Sequence, residues 1–204
     1  MSRSASGPPT ALGRGVPMKT VIFGFAVLMV VFVMASFIGG AFLSSDYSVT
    51  RSLEIDATPE QIYSLIGHVD TWPQWSAWNT NTYPDLKYEF PGKTEGVGAI
   101  QKWTMERGTG QLEITSAEST RGISYELVFE GMAPSEGIIE LTSLGEKKTQ
   151  VTWTNRGTLE GTSQRWLGLM MDSMMGQQFE QGLAGIADLL GSAGEPKPEN
   201  PAGS

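Results

Sequence analysis

The most regular pattern of hydrophobic and polar residues begins at Tyr47, where the period changes from two residues to that of a helix. Alternate residues first share one face of a predicted strand: Val49, Arg51, Leu53 and Ile55. A stripe at i, i+3, i+4 and i+7 then follows: Ile62, Leu65, Ile66 and Val69. Between them, Thr58 supplies an N-cap, Pro59 a favoured first helical residue and Gln61 a capping-box partner. The segment therefore predicts a strand that leads directly into a capped helix.

A second region, residues 99–153, keeps the period-two alternation through several short segments. The residues that share a face within each segment are Ala99, Gln101, Trp103 and Met105, then Leu112 and Ile114, then Ile123, Tyr125, Leu127 and Phe129, then Ile139 and Leu141, and finally Val151 and Trp153. Glycine-containing turns at 131–134 and 145–148 separate some of these segments. Strands with this spacing predict a meander of antiparallel hairpins.

The last periodic segment, Arg165 to Leu190, has helical spacing and contains no proline. Its broad apolar face comprises Leu167, Met170, Met171, Met174, Met175, Phe179, Ile186 and Leu189. Gly182 and Gly185 lower the helix propensity, and we expect them to allow a close approach to the sheet. The order strand, helix, several strands and long helix predicts an α+β fold with its helices on one face of an antiparallel sheet.

Residues 20–43 contain no charged side chain and predict a membrane-spanning helix. At about 1.5 Å per residue the helix extends about 36 Å, which exceeds the hydrocarbon core of about 30 Å. Arg3, Arg14 and Lys19 precede it, so the positive-inside rule predicts a cytoplasmic N-terminus and an exported domain. The alternative is a signal peptide cleaved after Ala35 or Ala41, although the apolar run exceeds the usual h-region of about 7–15 residues.

These patterns divide the chain into four parts: a short basic cytoplasmic tail at 1–19, a transmembrane helix at 20–43, a domain at 47–190 and a tail at 191–204. The last part is rich in proline and glycine without apolar periodicity, which predicts disorder. The domain is large enough to bury about two-thirds of its unfolded surface, which leaves core volume for a cavity. We expect a single-pass protein of the cell membrane whose domain is monomeric, because its apolar stripes pair internally.

Composition excludes several functional classes. The chain has 204 residues, no cysteine, one histidine (His68) and a net charge of -8. The domain is more acidic than the whole chain, because basic residues lead the apolar segment, and this excludes the basic surface typical of nucleic-acid binding. The absence of cysteine removes disulfides and thiolate ligands, and one histidine cannot form a recognisable zinc site. We therefore predict no metal, no cofactor and no nucleic-acid partner.

The strand and helix that begin at Tyr47 resemble those of one protein superfamily, and three further stretches share this resemblance. They are 42–47 (FLSSDY), 70–78 (DTWPQWSAW) and 166–183, which contains WLGLMMDSMMG and FEQGL. They are similar to the SRPBCC, or START–Bet v 1-like, helix-grip superfamily, and in particular to its membrane-anchored bacterial polyketide cyclase/dehydrase-like group. The resemblance implies a curved antiparallel sheet wrapped around a long C-terminal helix, with two short helices after the first strand. It also implies an internal cavity for an apolar ligand.

The resemblance and the aromatic and methionine residues together indicate which side chains line that cavity. The predicted lining residues are Trp75, Trp78, Trp103, Met105, Tyr125, Phe129, Trp153, Leu167, Met170, Met171 and Met174. Methionine is flexible and polarizable, which suits a surface that accepts varied apolar ligands. The alternative is structural: Trp72, Trp75 and Trp78 plug one end of the sheet, and the methionines form ordinary helix core.

Two functional hypotheses from different classes follow. The first is a membrane-anchored, non-catalytic domain that binds a lipid or another apolar small molecule in its cavity. The second is a cyclase or dehydratase that acts on a polyketide-like or aromatic substrate by general acid–base chemistry. A convergent pair of titratable groups deep in the pocket would favour the enzyme. The sequence indicates no catalytic residue, and a domain with a filled cavity that serves only as an interaction surface is a third hypothesis.

Overall fold

The computed structural model describes residues 18–191 and 197–198. Of the predicted cytoplasmic tail at 1–19, only Met18 and Lys19 are described, and both are helical. Of the predicted disordered tail at 191–204, only Gly191 and Lys197–Pro198 are described, and the latter pair forms a short strand. The rest of both predicted tails lies outside the described residues.

The described residues form four helices and eight strands. The helices are α1 (Met18–Ala41), α2 (Pro59–Ile66), α3 (Trp72–Trp75) and α4 (Arg165–Leu189). The strands are β1 (Asp46–Ile55), β2 (Lys87–Glu89), β3 (Ile100–Met105), β4 (Gly108–Glu118), β5 (Gly122–Phe129), β6 (Ser135–Gly145), β7 (Lys148–Thr158) and β8 (Lys197–Pro198).

One antiparallel sheet contains all of these strands, in the order β2-β3-β4-β5-β6-β7-β1-β8. Strands β2 to β7 follow one another in sequence order, which confirms the predicted meander. β1 closes the sheet by pairing with β7 from Asp46↔Thr158 to Ile55↔Thr149, and β8 adds two residues to its outer edge. The curved sheet, the long final helix and the short helices after β1 confirm the predicted helix-grip fold.

The start of α2 has the capping box that the sequence predicts. The Thr58 hydroxyl accepts a hydrogen bond from the Gln61 backbone N–H at 3.4 Å. The Gln61 side-chain oxygen accepts from the Thr58 N–H at 2.9 Å. The predicted stripe also faces the core, because Ile62, Ile66 and Val69 are fully buried. Capping and burial together fix α2 against β5 and β6.

The apolar helix α1 ends at Ala41, two residues before the predicted end of the span. The backbone N–H groups of Phe42 and Leu43 donate to the carbonyls of Gly39 and Gly40 at 3.1 and 3.3 Å. These i to i−3 bonds tighten the chain into a turn and stop the helix. The stretch Val21–Ala41 is long and apolar enough to cross a membrane, and its most apolar window is not buried against the domain.

The end of α1 contacts the beginning of α4. The Arg165 guanidinium donates hydrogen bonds to the carbonyls of Ala41 at 3.4 Å and Leu43 at 3.3 Å. The indole of Trp166 lies against Gly39, where a Cβ would sit 2.8 Å from the ring. The first turn of α4 is therefore adjacent to the residues at which the chain leaves the apolar helix.

The C-terminal half of α4 packs on the concave face of the sheet. Its fully or nearly fully buried side chains are Phe179, Leu183, Ile186 and Ala187. A Cβ on Gly185 would meet the Trp75 backbone carbonyl, and one on Gly182 would approach the Trp153 ring. The glycines thus allow the close approach that the sequence predicts.

Candidate ligand-binding cavity

A cavity of about 250 Å³ lies between the concave face of the sheet, the α3 region and α4. Its lining comprises Tyr47, Trp72, Ser76, Ala77, Trp78, Tyr88, Gln101, Trp103, Leu112, Tyr125, Leu127, Phe129, Met132, Ala133, Ser135, Trp153, Leu167, Met171, Met174, Met175, Gln178 and Phe179. An engineered apolar cavity of about 150 Å³ already binds benzene, so this volume is sufficient for a compact organic molecule.

Glycines in the sheet create part of this volume by letting aromatic rings lie flat on neighbouring strands. The Tyr125 ring crosses Gly137, with which it pairs between β5 and β6. The Trp103 ring crosses Gly110 of β4 in the same way. At both glycines a Cβ would overlap the ring, so any larger residue would push the aromatic side chain into the cavity.

Hydrogen bonds hold the polar groups at one side of the cavity. The Tyr47 hydroxyl donates to Asn155 Oδ1 at 3.0 Å, and Asn155 Nδ2 donates to the Ser135 hydroxyl at 3.3 Å. The Trp153 indole N–H donates to the Tyr125 hydroxyl at 2.8 Å. Asn155 and Tyr125 are almost completely buried, so these bonds satisfy groups that water does not reach and fix the adjacent aromatic rings.

The mouth of the cavity lies beside the first half of α4, since this is where lining residues are also exposed. Met174 is 51% exposed, and Leu167 is partly exposed. Across from them, Met132 and Ala133 of the β5–β6 connection are partly exposed. Deeper along α4, the Gln178 side-chain oxygen accepts from the Trp78 indole at 2.9 Å.

The structure brings most of the predicted lining residues together around this cavity. They are Trp78, Trp103, Tyr125, Phe129, Trp153, Leu167, Met171 and Met174. Contacts between their rings are close: the Trp78 centroid lies 5.7 Å from that of Trp103 and 5.5 Å from that of Phe129. Their binding of a ligand stays a prediction.

Three predicted lining residues do not line the cavity. Trp75 is buried between other rings, with centroids 4.9 Å from Trp72 and 5.6 Å from Trp153, so it belongs to the packed core. Met170 is 57% exposed, because one residue turns a helix by about 100° and its neighbour Met171 takes the inward position. Met105 ends β3 at the hairpin, opposite Gly108 and beyond the inward ring of Trp103.

Sequence reasoning missed the ionic attachment of α4 to β1. Arg51 is 6% exposed, and its guanidinium bonds Asp172 at 2.9 Å and Glu180 at 2.7 Å. The hydrogen bond that the Arg51 guanidinium donates to the Asp172 carboxylate raises the pKa of Arg51 and lowers the pKa of Asp172. Gly176 makes room, because a Cβ there would overlap the guanidinium. The available signal was a charged residue on the same strand face as the apolar residues Val49, Leu53 and Ile55.

The described lining residues include no carboxylate, imidazole, amine or guanidinium group. The ones that titrate are tyrosines, and burial raises the pKa of Tyr47, Tyr88 and Tyr125. These hydroxyls therefore stay protonated at neutral pH and can donate or accept a hydrogen bond without acting as a base. Elsewhere in the described part of the chain, no cluster of three or more His, Asp or Glu side chains is arranged to hold a metal ion.

Comparison with known proteins fits this architecture. Residues 46–191 match the family described as polyketide cyclase/dehydrase and lipid transport. The chain belongs to that family. The match confirms the predicted membership of the SRPBCC, or Bet v 1-like, superfamily, and family and fold together support a ligand-binding domain. No curated protein matched the chain.

Solved structures share the fold at low sequence identity. Norcoclaurine synthase from Thalictrum flavum, in complex with dopamine and hydroxybenzaldehyde, is 13% identical with a TM-score of 0.54, covering 91% of this chain and 96% of its own. The protein XoxI from Bacillus cereus is 16% identical with a TM-score of 0.52, covering 70% of this chain and 94% of its own. At such identities the similarity establishes the fold, whereas the reaction depends on the site.

Proposed function

We propose that this protein is a membrane-anchored, non-catalytic binding domain that accommodates a compact lipid or other apolar small molecule in its cavity. The observation that carries the proposal is the cavity itself, which has a volume of about 250 Å³ and a mostly aromatic and aliphatic lining without charged side chains. Burial of apolar ligand surface against such walls would supply the affinity. The volume suits a single ring system or short chain better than a two-chain phospholipid.

The position of the mouth supports uptake from a membrane. Leu167 and Met174 border the mouth, and Arg165 and Trp166 on the same helix contact the end of α1. If α1 spans the bilayer, the mouth is held near the bilayer surface, where apolar molecules concentrate. A tether of this kind raises the effective concentration of a membrane-derived ligand. Trp166, which is 42% exposed, would suit the interfacial aromatic belt.

The side chains around the cavity favour binding over the alternative of a cyclase or dehydratase. General acid–base catalysis requires a group whose pKa lies near the working pH. Burial moves the pKa of Tyr88 and Tyr125 upward and away from neutrality. The described lining contains no acid or base to pair with them, so we propose no second function.

A pair of tryptophan substitutions tests the carrier function. Leu127 lines the cavity, whereas Val128 is the next residue of β5 and points to the opposite face. We expect the full chain in phospholipid nanodiscs to retain a small apolar molecule detectable by mass spectrometry. Leu127→Trp should lose that molecule and Val128→Trp should keep it. The proposal fails if wild type retains nothing beyond matched protein-free nanodiscs, or if both variants retain the molecule equally.

The proposed orientation needs a separate test. We propose that the N-terminus is cytoplasmic and the domain is exported, because the basic residues Arg3, Arg14 and Lys19 precede the apolar helix. A reporter enzyme that works only outside the cytoplasm, fused after Leu190, should be active. An expressed but inactive fusion would contradict this orientation and indicate a cytoplasmic domain. Loss of residues 1–35 or 1–41 from the mature protein would show cleavage in place of an anchor.

A further inference from the structure

The amide of Gln101 lies in the cavity wall without a protein partner among the described residues. Gln101 of β3 is 3% exposed and lines the cavity. No side-chain hydrogen bond links it to any residue in the described part of the chain. The other amide of the lining, that of Gln178, accepts from the Trp78 indole and donates to the Tyr83 hydroxyl at 3.3 Å. Gln101 therefore differs from Gln178 in presenting free donors and a free acceptor to the cavity.

The neighbours of Gln101 indicate no structural role for its side-chain amide. In the sheet it pairs with Leu112, which pairs in turn with Leu127, so an apolar wall continues across β4 and β5. Two residues along β3, the Trp103 ring packs on Phe129 with centroids 5.4 Å apart. An amide in an otherwise apolar wall is less favourable than an apolar residue of similar shape unless it binds a partner.

We propose that Gln101 recognises one uncharged hydroxyl or carbonyl group of the ligand, which makes the ligand a neutral, mostly hydrocarbon molecule with a single polar group. This inference rests on the proposed carrier function. A primary amide donates and accepts, so it pairs with either group. An ionised ligand is excluded, because the described lining offers no opposite charge and a buried unpaired charge is strongly unfavourable. The nearest ionic cluster, Arg51 with Asp172 and Glu180, is already paired internally.

The test uses three probes that share one ring system: naphthalene, 2-naphthol and 2-naphthoate. Their binding to the full chain in nanodiscs is measured by equilibrium dialysis at neutral pH, with the uptake by protein-free nanodiscs subtracted. The variant is Gln101→Met, which keeps the length of the side chain and removes its polar atoms. The matched control is Gln111→Met on β4, where the side chain lies on the opposite face from Leu112.

Wild type and Gln111→Met should bind naphthalene and 2-naphthol and should not bind 2-naphthoate. In Gln101→Met the preference for 2-naphthol over naphthalene should fall about fivefold to tenfold, the value of one buried hydrogen bond. Its melting temperature should stay the same or rise, because an unpaired amide has been removed. A residue with a merely structural role would instead lower the melting temperature without changing the preference.

The outcomes separate the two proposals. A wild-type chain that binds none of the probes overturns the carrier function and this inference with it. A wild type that binds the neutral probes, with a preference unchanged in Gln101→Met, overturns the role of Gln101 alone and leaves the carrier function standing. Tight binding of 2-naphthoate by wild type overturns the neutral-ligand class. Should Gln101→Met melt far below wild type, the shorter Gln101→Leu gives the same comparison of probes.

Discussion

The two halves of α4 share one helix but have different surroundings. In the first half, residues 165–175, Leu169 is 64% exposed and Met170 57%. In the second half, residues 176–189, Leu183 and Ile186 are fully buried. The second half forms the core, and the first half borders the mouth of the cavity. One apolar stripe along a single helix can therefore pack in the core at one end and leave room for a ligand at the other.

Different interactions hold the two halves. The second half is attached by close apolar contact, which glycines permit: Gly182 lies against Trp153 and Gly185 against the Trp75 backbone. The first half is attached through Asp172, whose carboxylate accepts from the Arg51 guanidinium one turn before the start of the second half, and the same guanidinium also bonds Glu180 within the second half. Apolar packing in a dry interior is worth more than an ion pair with an exposed partner. We expect the first half of α4, the mouth half, to move away from the sheet without unfolding of the domain.

The largest expected effect comes from replacing one leucine by alanine in each half of α4. Leu183→Ala should lower the free energy of unfolding by about 2–5 kcal/mol, because it leaves a cavity in the core. Leu169→Ala should change it by no more than about 0.5 kcal/mol, because its side chain is mostly in solvent. Urea unfolding of a chain comprising residues 46–191, followed by circular dichroism, measures both. Similar losses in the two variants would contradict the division of α4.

A glycine substitution should have the next largest effect. Gly185→Ala places a methyl group against the Trp75 backbone carbonyl, which cannot move without displacing α3. Overpacking should cost about 1–3 kcal/mol of unfolding free energy after allowing for the roughly 1 kcal/mol that alanine gains in helix propensity. Gly168→Ala in the first half should cost less, because its methyl group meets only the tip of the Leu159 side chain. Equal or higher stability of Gly185→Ala would show that α4 is not pressed onto α3.

The mouth half should control binding more than stability. Met174→Trp adds bulk at the cavity lining, so it should weaken binding of 2-naphthol about tenfold while the melting temperature changes little. Met170→Trp is the control, because Met170 lies one turn earlier on the solvent side. Both are measured by equilibrium dialysis and thermal unfolding on the same samples. If Met174→Trp strongly destabilises the domain and Met170→Trp does not, the first half is packed core.

Local sequence signals predicted the parts of the fold that depend on local chemistry. The capping box of Thr58 and Gln61 forms because its partners are three residues apart. The strands from Ile100 onward follow their alternation because one face must be buried. The grouping of Val49, Arg51, Leu53 and Ile55 on one face of β1 was also correct, since all four side chains are buried.

The candidate site could be predicted only in part, because the missing information is tertiary. The stripe of methionines predicted an apolar helix face, but not the rotation that buries Met171 and exposes Met170. The place of Gln101 in the cavity wall depends on the register of β3, and the room for the Tyr125 ring depends on Gly137 on the next strand. The partners of Arg51 are more than a hundred residues away along the chain.

The smallest predicted effect is the loss at low pH of the stability contributed by the ion pair between Arg51 and Asp172. The hydrogen bond from Arg51 lowers the pKa of Asp172 in the folded state, whereas the unfolded value is about 3.9. The pair therefore contributes stability above about pH 4, and that contribution is lost as pH falls through the lower folded value. Because the Asp172 side chain is 67% exposed, solvent screening should keep the contribution below about 1 kcal/mol.

Asp172→Asn isolates this contribution. Its unfolding free energy should lie below that of wild type at pH 6 and approach it by about pH 2, where wild type has lost the charge as well. The urea midpoint of unfolding, measured for each protein between about pH 2 and pH 6, tests this prediction. A constant gap between Asp172→Asn and wild type at every pH would mean that Asp172 acts through packing, and that Glu180 alone balances the buried guanidinium of Arg51.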